Sequence, residues 1–265
     1  MNIFFTKMHG LGNDFMVINN MNGRIFLSAE QIKFFCDRHK GIGADGVILV
    51  ESSKGADCYM NYYNADGSQA EMCGNGVRCV AKFLKDNNLK SGNHFRVNTR
   101  SGTKEIYYKD NGTFSVNMGK PVFSHIDFPD KSLELEGLLF HFVSVGNPHA
   151  VAFVDNFVAY DLYKIGPVIE NNKIFPNRIN VELVEQKGPK EFKVKVWERG
   201  CGATLACGTG ASAVYAIAQK YKNTGQDTTI ELPGGKLLMS KNSKYEIIIC
   251  GPAESVYTGI VSLFQ

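Results

Sequence analysis

The stretch that decides the fold is residues 64–78, NADGSQAEMCGNGVR, because residues 198–211, ERGCGATLACGTGA, end in the same Cys-Gly-x-Gly pattern. After each pattern the apolar residues recur at helical spacing, so Cys73 and Cys207 are each predicted to lie on a glycine-flanked turn at the start of a helix. The first N–H groups of a helix have no intrahelical acceptor, and the helix dipole favours negative charge there. Such a turn stabilises a thiolate and can hold an anion beside it. Two such turns predict a duplicated unit whose copies face each other across one ligand.

Length and composition predict a globular protein with one large domain or two of ordinary size. The chain has 265 residues and a net charge of +3 with both signs scattered, so nothing points to nucleic acid or an anionic membrane as a partner. The N-terminus, MNIFFTKMHG, lacks the apolar core of a signal peptide, and no apolar run is long enough to span a bilayer. We therefore expect a cytoplasmic protein. The seven cysteines, an odd number, argue against a disulfide framework and predict reduced thiols.

The other turn and helix-capping residues of the chain predict short strands and helices. Residues 7–14, KMHGLGND, are predicted to form a glycine-rich polar loop, and Ser28 is predicted to be the N-cap of the next helix. Residues 41–46, GIGADG, have the letters of a dinucleotide-binding loop, but a predicted helix precedes them and a strand follows. A true site has the reverse order, so we reject that interpretation.

The chain is predicted to cross between its two halves at residues 119–121, Gly-Lys-Pro. The first half is residues 1–118, joined by the tail 255–265, and it carries Cys73. The second half is residues 119–254 and carries Cys207.

Two thiols presented to one ligand from opposite sides can invert a carbon centre. A thiolate on one face removes a proton from carbon, and a neutral thiol on the other face returns one. This is general acid–base catalysis, and it needs no metal or redox step. The helix N–H groups can bind a carboxylate next to that carbon and stabilise the charge that develops on it.

Six motifs occur in one order along the whole chain. They are HGLGNDF at 9–15, NADGSxxxxCGNGxRC at 64–79, GNPH at 146–149, RIN at 178–180, ERGxGxTxACGTGA at 198–211 and LPGG at 232–235. Together they resemble diaminopimelate epimerase, an enzyme of the lysine and peptidoglycan pathway that is independent of pyridoxal phosphate. The two cysteine-bearing motifs are specific, whereas GNPH or RIN alone would be weak.

The resemblance implies that Cys73 and Cys207 are the two bases that convert LL-2,6-diaminopimelate to the meso form without a cofactor or metal. His149 and Glu198 are implied to tune thiol protonation. The residues implied to bind the small-molecule substrate are Asn13, Asn64, Gly74, Asn75, Asn147, Asn180, Glu198, Arg199, Gly208 and Thr209. The implied fold is α+β with two pseudo-symmetric domains, each a curled, mostly antiparallel sheet around a central helix. The active site is expected in the cleft between them. A homodimer is the expected assembly, because dimers are the commonest soluble oligomers.

Three positions depart from the family pattern. Gly46 stands where many members have a glutamine that contacts substrate. Cys201 and Ala203 stand in ERGCGAT, where ERGAGET is usual. The last of these removes a glutamate beside the second cysteine turn, so it bears on how the ligand is positioned there.

Two alternatives stay open at this stage. The first is an enzyme with the same two-thiol chemistry on another amino acid, such as a proline, hydroxyproline or histidine racemase. The second is a zinc-stabilised binding protein, because Cys73/Cys79 and Cys201/Cys207 share one spacing. That spacing is longer than the two to four intervening residues typical of structural zinc pairs. Substrate screening separates the enzymes, and a metal assay decides the second alternative.

Overall fold

The chain folds into two compact units in a computed structural model that describes residues 1–70 and 72–263. One unit is Met1–Val116 together with the chain from Gly251 onward, and the other is Asn117–Cys250. Three positions used in the sequence analysis lie outside the described residues: Glu71 in the first cysteine stretch, and Phe264 and Gln265 at the end of the predicted tail.

Strands dominate both units, and the described part of each unit contains two α-helices. The first part of the chain forms β1 (Asn2–Gly10), β2 (Asn13–Asn20), α1 (Ala29–Cys36), β3 (Gly46–Glu51), β4 (Cys58–Asn64), α2 (Gly74–Asp86), β5 (His94–Thr99), β6 (Gly102–Tyr108) and β7 (Phe114–Gly119). It continues with β8 (Leu133–Leu135), β9 (Leu138–Ser144), β10 (Pro148–Val154), a 3-10 turn (Phe157–Ala159), α3 (Leu162–Glu170), β11 (Asn180–Gly188), β12 (Glu191–Glu198), β13 (Gly202–Thr204), α4 (Gly208–Tyr221), β14 (Thr228–Leu232), β15 (Gly235–Lys241), β16 (Ile247–Gly251) and β17 (Glu254–Ser262). The predicted α+β class is confirmed.

The two units repeat one succession of strand pairings. In the first, β1 pairs antiparallel with β2, β2 parallel with β3 across α1, β3 antiparallel with β4, and β4 parallel with β5 across α2; β6 and β7 follow antiparallel. In the second, β9 to β12 pair in the same way with α3 in the crossover, β12 pairs parallel with β14 across α4, and β15 and β16 follow antiparallel. Each unit adds one antiparallel strand at the start of the series, β17 on β1 and β8 on β9. Parallel neighbours need a crossover connection, which explains why helices stand at these two places.

The helices α2 and α4 occupy equivalent places and are buried. In α4 every residue from Gly210 to Ala218 is buried, and alanine recurs all round the helix. A helix that is apolar on every side is typical of a core position, and small side chains let the surrounding strands approach closely. In α2 the burial runs from Gly74 to Ala81 and includes Arg78. Across residues 1–70 and 72–263, no helix combines the length and apolar character needed to cross a membrane.

The N-terminal prediction is wrong at residues 7–14. This segment is a β-hairpin rather than a loop: β1 runs through Gly10, β2 begins at Asn13, and His9 pairs with Asp14. Only Leu11 and Gly12 form the turn, with φ of 55° and 82°. Two consecutive positive φ angles are the geometry of a turn that matches strand twist, which is why so short a connection suffices. By contrast, the predicted N-cap Ser28 is confirmed, in a capping box with Gln31.

We expect alkaline pH to destabilise the first unit through its buried thiols. Cys36, Cys58 and Cys79 are buried there, and burial raises the pKa of each to about 12 from an ordinary 9.0. Above the unfolded pKa the unfolded chain has released protons that the folded chain still holds. Stability is therefore complete below that pKa and falls as pH rises toward 12, by about 1.4 kcal/mol per pH unit for each thiol.

Urea unfolding at a series of alkaline pH values measures this slope. Lysines and tyrosines also titrate in the window, so Cys79→Ala is the control that isolates one thiol. Its free energy of unfolding should fall less steeply with pH than that of the unaltered chain. Equal slopes would show that the Cys79 thiol is not held protonated by the fold.

Candidate active site

The first cysteine caps the central helix of its unit, as predicted. Cys73 is the N-cap of α2 with extended backbone, φ −136° and ψ 122°. Its thiol donates to Asn13 Oδ1 at 3.4 Å, and Asn75 Nδ2 donates to the same oxygen at 3.1 Å. Three predicted site residues from the hairpin and the helix thus meet at one point. The Cys73 side chain is partly exposed, so a ligand can reach it.

Asn13 owes its orientation to a charged cluster behind the hairpin. Its Nδ2 donates to Asp45 Oδ2 at 2.8 Å, which turns its carbonyl oxygen toward Cys73. Arg38 joins Asp45 to Asp14, with 2.7 Å to each carboxylate, and Lys7 Nζ lies 2.6 Å from Asp14. Burial would raise the pKa of Asp14, but the hydrogen bonds from Arg38 and Lys7 outweigh it and lower that pKa. Asp14 therefore stays ionised and holds the cluster together.

Arg78 anchors the first turn of α2, and the sequence analysis assigned it no role. It is fully buried, and its Nη2 donates to Asn75 Oδ1 at 2.7 Å while its Nη1 donates to Gly74 O at 3.1 Å. Its Nε reaches Pro252 O at 3.1 Å in the returning tail. In α4, Ser212 Oγ likewise donates to Gly208 O at 2.9 Å. Each helix therefore uses the side chain four residues on to fix the glycine after its cysteine.

Asn64 stands at the end of β4, in the turn that leads toward Cys73. Its side-chain Nδ2 donates to Ser68 Oγ at 3.1 Å, and its backbone carbonyl accepts from Gly67 N at 2.9 Å. The Asp66 carboxylate in turn accepts from Ser68 N at 2.8 Å. The side chain remains partly exposed. The turn thus fixes Asn64 without burying its amide.

Gly46 cannot carry the glutamine that many family members have there, because its surroundings leave no room for a side chain. A Cβ at this position would lie 2.4 Å from Tyr63 O and 2.6 Å from the Tyr62 ring. The first of these is backbone in the paired strand β4, which cannot move without breaking the register. The departure at Gly46 is therefore built into the local packing.

We expect Gly46→Ala to destabilise the protein by about 2–3 kcal/mol, since overpacking of a buried site costs roughly that much. Gly188→Ala is the matched control: it also lies in a strand, and a Cβ there would meet nothing closer than 3.9 Å. Urea unfolding of both variants makes the comparison. A Gly46→Ala variant as stable as Gly188→Ala would show that the backbone of β4 can move enough to accommodate the added methyl group.

The second cysteine caps α4, also as predicted, but in a more enclosed setting. Cys207 Sγ accepts the Gly210 N–H at 3.3 Å and lies 3.4 Å from Thr209 Oγ1. Burial raises the pKa of the Cys207 thiol well above its ordinary range, and the carboxylates of Glu198 and Glu182 raise it further. The hydrogen bonds from Thr209 and Gly210 lower that pKa but do not outweigh the rise. Cys207 is therefore held as a neutral thiol.

Glu198 brings a carboxyl group to this thiol. It ends β12, where β13 folds back so that Thr204 Oγ1 donates to Glu198 Oε1 at 2.6 Å. Burial raises the pKa of Glu198, and hydrogen bonds from Thr204 and Cys207 offset only part of that rise. Thr204 is a contributor that the sequence analysis missed, although it is the Thr of the ERGxGxT motif.

His149 is buried, with both ring nitrogens in hydrogen bonds. Nδ1 lies 2.6 Å from Glu182 Oε1, and Nε2 lies 3.0 Å from Asn147 Oδ1. Both His149 and Glu182 are fully buried. The predicted residues Asn147 and His149 are thus brought together, along with Glu182, which the sequence analysis did not single out.

Asn180 and Arg199 are placed by backbone contacts. Asn180 Nδ2 donates to Pro148 O at 2.8 Å, and its Oδ1 accepts the Arg199 N–H at 3.0 Å. Arg199 Nη1 donates to Asn177 O at 2.9 Å. Asn180 therefore ties the GNPH turn to the segment after Glu198, which fixes two predicted site segments relative to each other.

The departures at Cys201 and Ala203 lie on the exposed side of the β12–β13 turn. Cys201 N donates to Glu198 O at 3.0 Å, so this turn is closed by its backbone, and the Glu198 carboxyl is held by Thr204. Within residues 1–70 and 72–263, no group of three or more His, Cys, Asp or Glu side chains is placed to hold a metal ion.

Comparison with known proteins identifies the family. A sequence profile of diaminopimelate epimerase matches residues 5–124 and 141–256. The diaminopimelate epimerase of Carboxydothermus hydrogenoformans is 41% identical over 268 residues, which cover 96% of this chain and 98% of that protein. That of Trichodesmium erythraeum is 42% identical over 274 residues, covering 97% and 99%. A solved Bacillus anthracis phenazine biosynthesis protein of the PhzF family has a TM-score of 0.74 at 18% identity, covering 99% of this chain and 100% of that one, and shows the same fold. With its two helix-capping cysteines, the chain belongs to the diaminopimelate epimerase family.

Proposed function

We propose that this protein interconverts LL-2,6-diaminopimelate and meso-diaminopimelate, as an isomerase of lysine and peptidoglycan precursor biosynthesis. The observation that carries the proposal is the equivalence of Cys73 and Cys207. Cys73 caps the helix between the parallel strands β4 and β5, and Cys207 caps the helix between the equivalent parallel strands β12 and β14. A binding protein has no need to repeat a thiol at this place, whereas proton exchange at carbon needs one acid and one base.

The proton balance of the reaction is simple. The thiolate takes the α-proton, so its S–H bond forms as the C–H bond breaks, and the electron pair moves into the adjoining carboxylate. The thiol on the opposite face then gives its proton to the carbon, which restores the C–H bond with inverted configuration. The two sulfurs have exchanged protonation states, and the reverse direction starts from there. No pyridoxal phosphate or metal takes part in these steps.

The two thiols are not equivalent in their surroundings. Cys207 is buried beside Glu198 and is held as a thiol, while Cys73 is partly exposed and bonds the neutral amide Asn13. We assign the proton donor to Cys207. We assign the base to Cys73, which must first release the proton that it donates to Asn13 Oδ1. We also propose that the two halves of the chain supply one group each. Residues 1–118 with the tail 255–265 supply Cys73, and residues 119–254 supply Cys207.

The substrate contacts follow the same division. The N–H groups that begin α2 and α4, at Gly74 and Asn75 and at Gly208 and Thr209, would bind the carboxylate at the reacting carbon and stabilise its developing charge. The amides and charged groups would hold the remaining ammonium and carboxylate groups of a ligand with two amino acid ends. They are Asn13, Asn64, Asn147, Asn180, Glu198 and Arg199. His149 and Glu198 would set the protonation of Cys207. We further propose a homodimer in the cytoplasm.

Deuterium exchange tests the assignment. Reduced protein in D2O is given LL- or meso-diaminopimelate, and NMR follows the α-position. We expect deuterium to enter with inversion, and we expect proline, hydroxyproline and histidine to show no exchange under the same conditions. Exchange with one of those amino acids instead would replace the substrate but keep the chemistry. No exchange with any of them by folded, reduced protein would end the two-thiol proposal.

A further inference from the structure

Glu182 is a buried carboxylate with no partner for one of its oxygens. It lies on β11, fully buried, and its Oε1 meets His149 Nδ1 at 2.6 Å. Within residues 1–70 and 72–263, Glu182 Oε2 is the one buried side-chain oxygen or nitrogen without a hydrogen bond. An unpartnered buried carboxylate oxygen is unfavourable, because it has lost its water and gained nothing in exchange. Packing alone does not explain a glutamate here.

The carboxylate also presses against the helix turn that carries Cys207. A Cβ on Gly210 would lie 2.8 Å from Glu182 Oε1 and 3.4 Å from Cys207 Sγ. A side chain at this position would have to displace the Glu182 carboxylate and would crowd the thiol. Gly210 is the second glycine of the Cys-Gly-x-Gly pattern, so the motif itself makes space for Glu182.

The two hydrogen bonds of His149 specify what Glu182 contributes. Asn147 Oδ1 can only accept, so Nε2 carries a proton and donates to it. The Glu182 carboxylate holds the other ring nitrogen, Nδ1, and so fixes the orientation of the imidazole. A shorter side chain at position 182 would leave Nδ1 without this contact.

Two carboxyl groups lie close enough to Cys207 to act on it, and His149 contacts one of them, Glu182. His149 comes from β10, Glu182 from β11 and Glu198 from β12. Burial raises the pKa of Cys207 first, and the charges of Glu198 and Glu182 add to that effect. The negative charge of a nearby carboxylate therefore opposes formation of a thiolate at Cys207.

We infer that Glu182 is a positioning residue that fixes His149 through Nδ1 and keeps Cys207 in its thiol form between turnovers. The inference rests on the proposed function, in which Cys207 is one of two bases. Its first test follows the thiol directly and needs no substrate.

Glu182→Gln removes the charge and keeps the size of the side chain. Alkylation of Cys207 by iodoacetamide, followed by peptide mass spectrometry over a pH series, should be about tenfold faster at neutral pH, as for a shift of one pKa unit. Alkylation of Cys73 in the same sample is the internal reference and should not change. Glu185→Gln is the matched control, on the same strand but paired with the exposed Lys187. An unchanged Cys207 profile in folded Glu182→Gln would overturn the inference.

Glu182→Asp separates charge from reach and serves if Glu182→Gln does not fold. It keeps the carboxylate but withdraws it from His149 by one methylene. We expect Cys207 alkylation to stay slow while kcat falls about tenfold with KM little changed, because the imidazole loses its fixed orientation. An unaltered kcat would refute the positioning role. If the unaltered protein itself shows no α-proton exchange, the proposed function fails, and the alkylation result still decides the role of Glu182.

Discussion

Replacing Cys73 or Cys207 by serine should reduce kcat for epimerisation by roughly 10²–10⁴-fold, the range that one general acid or base contributes. Serine keeps the size of the side chain and its place at the helix N-terminus, but its hydroxyl does not ionise near neutral pH. On the proposed assignment, Cys73→Ser therefore lacks the base, and Cys207→Ser lacks an acid of matched strength. Because each proton transfer needs both partners in opposite states, the loss should be similar in both variants.

The stereochemistry of exchange in D2O gives a sharper readout than rate alone. A variant with one remaining thiol can still remove a proton from one face and return deuterium to that same face. We expect each variant to exchange the α-proton of one stereoisomer without inversion, and the two variants to select opposite stereoisomers. Cys201→Ser is the control, since it changes an exposed thiol in the same motif as Cys207. Full inversion in either active-site variant would mean that another group supplies the proton.

The helix-capping cysteines were predictable from sequence because their signal is local. A Cys-Gly-x-Gly turn followed by apolar residues at helical spacing specifies a helix start whatever the rest of the chain does. The confirmed capping box at Ser28 and Gln31 is a signal of the same kind. The prediction of a loop at residues 7–14 was wrong, and it too was based on a local signal. Leu11 adopts a positive φ of 55°, which is uncommon for a residue other than glycine, so the glycines on either side suggested a longer loop.

Glu182 and Arg78 show why the rest of the site could not be predicted. The first five residues of β11, Asn180 onward, are all buried, so the alternation that normally marks an outward-facing glutamate is absent. Arg78 lies on a helix whose apolar residues are buried, but from sequence a single arginine among them is expected to point into solvent. The meaning of both depends on distant partners: His149 for Glu182, and Pro252 for Arg78.

The second large effect is expected from Arg78→Met, which should lower the free energy of unfolding by about 3–5 kcal/mol. Methionine fills much of the space but leaves Asn75 Oδ1 and Pro252 O without the guanidinium donor that each has now, while Gly74 O keeps only its helical N–H. Each buried acceptor left unmatched costs about 1–3 kcal/mol. The Asn75 amide also loses its anchor, so the oxygen of Asn13 that receives the Cys73 thiol loses a fixed neighbour. We therefore expect kcat to fall together with stability.

Arg78→Lys distinguishes the charge from the shape of the guanidinium. An ammonium carries the same charge on one nitrogen, which cannot serve three acceptors in different directions. It should recover less than half of the lost stability in urea unfolding. Arg96→Met is the matched control in the same unit, because its ion pair with Glu105 is exposed and is worth at most about 1 kcal/mol. If Arg78→Met is no less stable than Arg96→Met, the first turn of α2 holds its shape without the arginine, and the position of Asn75 must then come from the backbone alone.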